Sequence, residues 1–319
     1  MGLFFGAFCL LVWRCASLDV VRSTGRWSRI VAIGDVHGDP EALRACLGGA
    51  GVLTVDDEWC AEDGTLVLQC GDVVGRGSRE VECLELLAHL KELAPEGSDV
   101  AMLMGNHEFF ADGLSPLVAD LCGETPVFRQ EGDSVFVHAA LLHADDRANV
   151  AARDRLRNAA AGFENRRDRD GFGQNRQESM DGTTFDLITD LVHDRAYAWG
   201  ERRRCDPRVR GKLQQSAAAV AALGCARVVV GHNVVADGID SFTLPSPLSP
   251  PQNPRHDSKA PATTVVYRID TGMSRAVLDG RKECLELTTG TQPRVVSHDG
   301  KRHPVTSAEA RALLRDVMM

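Results

Sequence analysis

Short apolar runs rich in Val, Ile and Leu recur along the chain, and each ends in a turn that carries Asp, Asn or His beside glycine or another small residue. The instances are Ile30–Ile33 before Gly34, Leu66–Leu68 before Gly71, Val100–Met104 before Gly105, Val135–Val137 before His138 and Val228–Val230 before Gly231. Runs of this length bounded by turn residues predict strands, each feeding a loop at the same edge of a sheet. Between them the apolar spacing becomes helical. Asp39 to Gly48 opens with a capping Asp and a Pro in the first turn and closes on Gly, which predicts a helix. Glu80 to Leu93 repeats Leu84, Leu87 and Leu90, and Arg147–Phe163 and Val209–Leu223 read as further helices. Late in the chain Val265–Ile269 and Ala276–Leu278 predict strands, and Ser307–Val317 a terminal helix. Strands alternating with helices predict an α/β domain.

With 319 residues and 44% apolar content the chain is long enough for one large domain with a substantial core. The expected organisation is a leader at 1–17, a main folded domain at 28–290 and a C-terminal tail with a short helix at 291–319. Glu164–Met180, rich in Arg, Asp, Asn and Gly, and Leu244–Pro261, dense in Pro and Ser, read as exposed loops. Gly2–Trp13 is an uncharged apolar run, too short for a membrane span but of the length of a signal-peptide core, with small residues after Arg14. That points to the secretory pathway or an organelle, with the cytoplasm as the alternative, and no stable membrane span is expected.

A net charge of −9, from 36 Lys plus Arg against 45 Asp plus Glu, gives no general attraction to nucleic acid or anionic membrane. The 10 cysteines are scattered without a CxxC pair, and Cys46, Cys70, Cys83 and Cys225 lie in apolar stretches, which favours buried free thiols. In an oxidising compartment Cys60, Cys122, Cys205 and Cys284 are the ones to examine for pairing.

The chemistry gathers in the strand-end loops: Gly34-Asp35-Val36-His37-Gly38, Gly71-Asp72-Val73-Val74-Gly75-Arg76-Gly77, Gly105-Asn106-His107-Glu108, His138-Ala139 and Gly231-His232. Imidazole, carboxylate and amide without a thiolate cluster suit manganese, iron, zinc or nickel rather than a structural zinc knuckle. One such turn is commonly an ordinary loop. Five in fixed succession, each after a strand, are not.

This succession resembles the phosphoprotein phosphatase family of metallophosphoesterases, with its GDxHG, GDxxDRG, GNHE, HGG or HAG and late GH motifs, over about Val31 to Met273. Within it, Val228–Asn233 and Tyr267–Ser274 are similar to the closing motifs of the Shewanella-like phosphatases. The resemblance implies a metallophosphoesterase fold of two packed mixed β-sheets flanked by helices, and two divalent metal ions, manganese first, with iron or zinc as alternatives. It assigns Asp35 and His37 to one ion, Asp72 to both, and Asn106, His138 and His232 to the second. His107 would be the general acid and Arg76 a phosphate clamp, with Arg202 offered as the second arginine although its surroundings do not match the family's Trp-x-Arg spacing. The implied activity is hydrolysis of phosphomonoesters in proteins or small molecules by metal-activated water.

Two departures qualify this. Gly75 stands where the family has Asp, so the carboxylate that would orient and charge His107 is absent, which favours good leaving groups such as aryl phosphates or phosphoanhydrides. Ala139-Ala140 follows His138 where Gly-Gly is usual. Both occur in diadenosine-tetraphosphatase-like enzymes, which makes a nucleotide phosphoanhydride hydrolase the alternative, with a catalytically silent phosphate-binding module as a third.

Overall fold

The computed structural model describes residues 26–110, 116–167, 182–198, 206–245 and 263–310. The expected leader, most of both proline- and arginine-rich loops, and Arg202 and Cys205 lie outside them.

Two six-stranded mixed sheets form the frame. In the first, β1 (Arg29–Ile33), β2 (Thr65–Gln69) and β3 (Asp99–Met102) run parallel, and β1 is flanked on its other side by the antiparallel β9 (Glu283–Thr288), then β10 (Arg294–Ser297) and β11 (Arg302–Pro304). In the second, β5 (Ser134–Val137), β6 (Arg227–Val230) and β8 (Val265–Arg268) run parallel, with β4 (Phe128–Glu131) on one side and β7 (Asp240–Thr243) and β12 (Thr306–Ser307) on the other. Because parallel neighbours share direction, the loops after β1, β2, β3, β5, β6 and β8 emerge at the same strand ends.

The strands read as unbroken apolar runs because both their faces are buried. Ile30, Ala32, Leu66, Leu68, Phe136, Val229, Tyr267 and Ile269 point inward and form one core between the sheets. Their neighbours Val31, Ile33, Val67, Val135, Val137, Val228 and Val230 point outward into a second core beneath the helices. Those helices are α1 (Pro40–Gly49), α2 (Glu80–Leu93), α3 (Asn106–Phe110), α4 (Pro116–Cys122), α5 (Asp146–Arg167), α6 (Gly182–His193) and α7 (Pro207–Leu223). Asp39 caps α1 by accepting from the Ala42 amide at 3.1 Å, and Asp206 caps α7 in the same way from Arg208 at 2.9 Å.

The described structure departs from expectation at four places. Ala276–Leu278 is a turn, in which the Ser274 carbonyl accepts from the amides of Val277, Leu278 and Asp279; the run is too short and too exposed at Leu278 to join a sheet. Residues 294–304, expected in the tail, supply β10 and β11 to the first sheet. Thr306–Ser307 pairs with Asp240–Ser241 before a helical turn starts at Ala308, and 311–319 lie outside the described residues. Glu164–Arg167, expected in a loop, ends α5. All seven described cysteines are free, and only Cys60 is exposed. No described helix is long and apolar enough to cross a membrane.

Candidate active site

The six strand-end loops converge on one buried polar cluster. Asp35, His37, Asp72, His138, His232 and Asp270 are each at most 5% exposed. Two groups within it have ligand atoms all lying within 4.8 Å of one another: His37, Asp72 and His107, and Asp72, His138 and His232. Asp72 is common to both. Asp35 joins the first, its carboxylate 3.8 Å from His37 Nε2, and Asn106 joins the second, its Oδ1 3.3 Å from His138 Nε2. The structure thus brings together all six expected ligands and His107.

Each imidazole is aimed by a backbone carbonyl. His37 Nδ1 faces Val74 O at 3.1 Å, His138 Nδ1 faces Cys70 O at 2.8 Å and His232 Nε2 faces His193 O at 3.2 Å. Protonated on those atoms, the three rings turn His37 Nε2, His138 Nε2 and His232 Nδ1 toward the cluster as lone pairs, as metal-ligating histidines do. Backbone is strained to achieve this. Of six non-glycine residues with positive φ among the described residues, four are His37, Asp72, Arg76 and His232. Gly105 permits the close approach of the GD and GN loops, because a Cβ there would meet Asp72 Oδ1 at 2.2 Å.

Two buried carboxylates outside the expected set hold these loops. Glu108 accepts from the amides of Asp72 and Gly105 at 2.8 Å and of Val74 at 3.0 Å, tying the turn after β2 to the start of α3. Burial, helped by the Asp72 charge, pushes its pKa up to about 7. Asp270 accepts from the Gly272 amide at 2.9 Å and lies against Asp35; burial is the main cause of its rise to about 6. Asp35 is raised well above the carboxylate range, first by burial and then by Asp270.

The imidazoles respond in opposite directions. Burial disfavours a charged His138, yet Asp72 and Asp35 outweigh it and lift the ring to about 10. Burial takes His232 down to about 2, helped by the charges of His138 and Arg195. His37 is lowered, chiefly by burial. Buried carboxylates and imidazoles packed this closely form a donor set that fits two divalent cations of the oxygen- and nitrogen-binding kind.

Around the cluster stand the groups able to meet a substrate. His107 is half-buried, and its ring meets that of His37 edge-on with centroids 4.9 Å apart. Arg76 is exposed, and its charge reaches His37. Arg202 lies outside the described residues, whereas Arg195, exposed just after α6, is near enough for its charge to lower His232. The sequence signal for Arg195 was present in His193-Asp194-Arg195, where an aromatic ring stands two residues before an arginine.

Comparison with known proteins agrees with this geometry. Residues 28–196, more than half of the chain, match the family model described as calcineurin-like phosphoesterase. Among curated proteins, Shewanella-like protein phosphatase 2 of Arabidopsis thaliana is 42% identical over 81 residues, 25% of this chain and 20% of that protein. Shewanella-like protein phosphatase 1 of Plasmodium berghei is 39% identical over 85 residues, 26% of this chain and 23% of that protein. The matched stretches therefore span about a fifth to a quarter of these relatives. Among solved structures, a cold-active protein-tyrosine phosphatase of a psychrophilic Shewanella shares the fold with a TM-score of 0.54 and 16% identity, over 91% of this chain and 85% of that one.

Proposed function

Because the chain belongs to the calcineurin-like phosphoesterase family, we propose that it is a metal-dependent phosphatase hydrolysing phosphomonoesters by direct attack of water. The observation that supports this most is the place of Asp72 in both ligand groups, which is what a carboxylate bridging two ions requires. Asp35, His37 and Asp72 would hold the first cation, and Asp72, Asn106, His138 and His232 the second. Two divalent cations bound there would lower the pKa of a water and neutralise phosphoryl oxygens. We assign manganese to the pair first, since the donors are carboxylate, amide and imidazole without sulfur.

The remaining roles follow from position. Arg76, whose charge reaches His37, and Arg195, whose charge reaches His232, orient the phosphoryl group by forked hydrogen bonds. His107, at the edge of the first group, delivers the proton to the leaving oxygen. Glu108 and Asp270 touch no substrate and act by fixing the loops that carry Asp72 and Asp35. The substrate class is a phosphoprotein or a small phosphomonoester, in keeping with the names of the matched relatives.

A substrate panel with added Mn²⁺ tests this, comprising p-nitrophenyl phosphate, phosphotyrosine and phosphoserine peptides and a dinucleoside polyphosphate. Monoester turnover that disappears with chelator and with Asp72→Asn is the expected result. Exclusive cleavage of the phosphoanhydride, or no turnover with any metal, would overturn it.

A further inference from the structure

The rim of the site on the α3–α6 side is aromatic and open. Phe110 is 48% and Phe185 37% exposed, a costly arrangement for phenyl rings beside a polar cluster. They form a continuous series of ring contacts with the site. His232 meets His193 with centroids 5.6 Å apart, His193 meets Phe110 edge-on at 6.1 Å, and Phe110 meets Phe185 at 6.2 Å. Beneath them the fully buried Phe109 packs against Phe110 at 5.0 Å and Phe185 at 5.4 Å, with the Arg155 guanidinium over its ring at 4.9 Å. The exposed rings are thus backed by the buried Phe109.

Their position relative to the chemistry is specific. Phe110 follows His107 by three residues within α3, and residues so spaced share a helix face. The group placed to protonate the leaving oxygen and the exposed ring therefore stand within one turn of the same short helix, His107 against His37 and Phe110 against His193, so Phe110 borders the cluster on the side of His232. A hydroxyalkyl side chain offers nothing to an aromatic rim. A phenol offers a ring that stacks offset or edge-to-face at 4.5–7 Å, the spacing these rings already keep among themselves.

Resting on the phosphatase reading above, we infer that Phe110, with Phe185 and His193, forms a wall that receives the aromatic ring of an aryl phosphate, phosphotyrosine in particular, while its phosphoryl group sits at the Asp72 cluster. Phe110 and Phe185 are specificity-determining residues and take no part in bond breaking. The wall also matches Gly75: without the family's carboxylate at that position to support His107, a phenolate, which needs protonation less than an alkoxide does, is the leaving group favoured.

The test separates ring recognition from turnover by using phenylphosphonate and methylphosphonate, which differ only in the ring and are not hydrolysed. Inhibition constants would be measured for wild-type, Phe110→Ala, Phe185→Ala and Phe110→Tyr proteins loaded with Mn²⁺, with direct calorimetric binding in parallel. Wild-type protein is expected to prefer the phenyl compound by about tenfold. Each alanine variant should lose most of that preference, methylphosphonate should stay within about twofold, and Phe110→Tyr should restore the phenyl preference. Equal weakening of both phosphonates in both alanine variants, or a wild type that does not distinguish them, would overturn the inference. Absence of turnover on all monoesters would sink the phosphatase reading instead, and the calorimetric comparison would still decide the wall.

Discussion

The Nδ1 atom of His107 lies where a side chain at position 75 would begin: a Cβ built on Gly75 would stand 2.0 Å from it. The departure from the family's aspartate is therefore more than a missing charge. The imidazole has advanced into the space that a residue 75 side chain would fill, and the backbone there has a φ of +79°, which disfavours any replacement. Gly75→Ala is expected to force the ring out, lowering kcat on aryl phosphates by about tenfold or more while KM changes little. Gly75→Asp meets the same obstruction, so it should fail to act as a simple gain of the absent carboxylate. Steady-state kinetics of both variants on one aryl and one alkyl substrate check this.

Asp72→Asn should remove at least about nine-tenths of the activity, since loss of transition-state charge stabilisation is worth several kcal/mol. It should also lower bound manganese from two equivalents to about one or less, because the residue serves both groups. Metal analysis after dialysis would read this independently of turnover, and two retained equivalents would contradict a shared ligand.

Removing either phosphate arginine should weaken product inhibition. Arg76→Ala and Arg195→Ala are each expected to raise the Ki of inorganic phosphate by about tenfold or more, as charge-assisted hydrogen bonds are worth about 1.5–3 kcal/mol. Running Arg202→Ala beside them decides between the two candidates for the second arginine. An Arg195 variant with unchanged Ki would leave the role to Arg202.

Glu286 gives a stability prediction far from the chemistry. It accepts from Arg29 Nε at 2.8 Å and Arg302 Nε at 2.9 Å, joining β1, β9 and β11, and although its burial opposes ionisation the two arginines hold its pKa below the ordinary 4.5. A folded-state pKa below the unfolded one stabilises fully above about pH 4.5, and the benefit drains as pH falls through the folded value. Glu286→Gln should thus cost about 1–3 kcal/mol at pH 7, with the gap to wild type closing at pH 4 and below. Urea denaturation at the two pH values measures it.

The loops that build the site were legible because each follows a strand buried on both faces, which writes an unbroken apolar run before a glycine or, after β5, before His138 itself. β9 was not, since Glu283-Cys284-Leu285-Glu286-Leu287-Thr288 interleaves acids with apolar residues, and Glu286 is acceptable inside only because Arg29 and Arg302 meet it. Ala276–Leu278 misled in the opposite sense, as an apolar triplet whose amides all turn back to Ser274. Glu108 and Asp270 stand within the quoted motifs, yet Glu108 works by accepting the amides of Asp72 and Val74 from a loop distant in sequence and Asp270 by lying against Asp35, relations no spacing records. His107 and Gly75 were both singled out, but the overlap of one with the other's missing side chain required coordinates.

The pairing of Arg29 with Thr288 has a consequence for how the molecule comes into being. A ribosome delivers the first strand and its Asp35–His37 turn early, but the neighbour on one side of that strand is made only after some 250 further residues. At ordinary synthesis rates of about 5–20 residues per second that is a wait of roughly ten seconds or more, with a hydrophobic strand edge uncovered. The nascent chain is therefore expected to depend on holding chaperones over that interval, and to acquire its affinity for cations only once His232 has also been made.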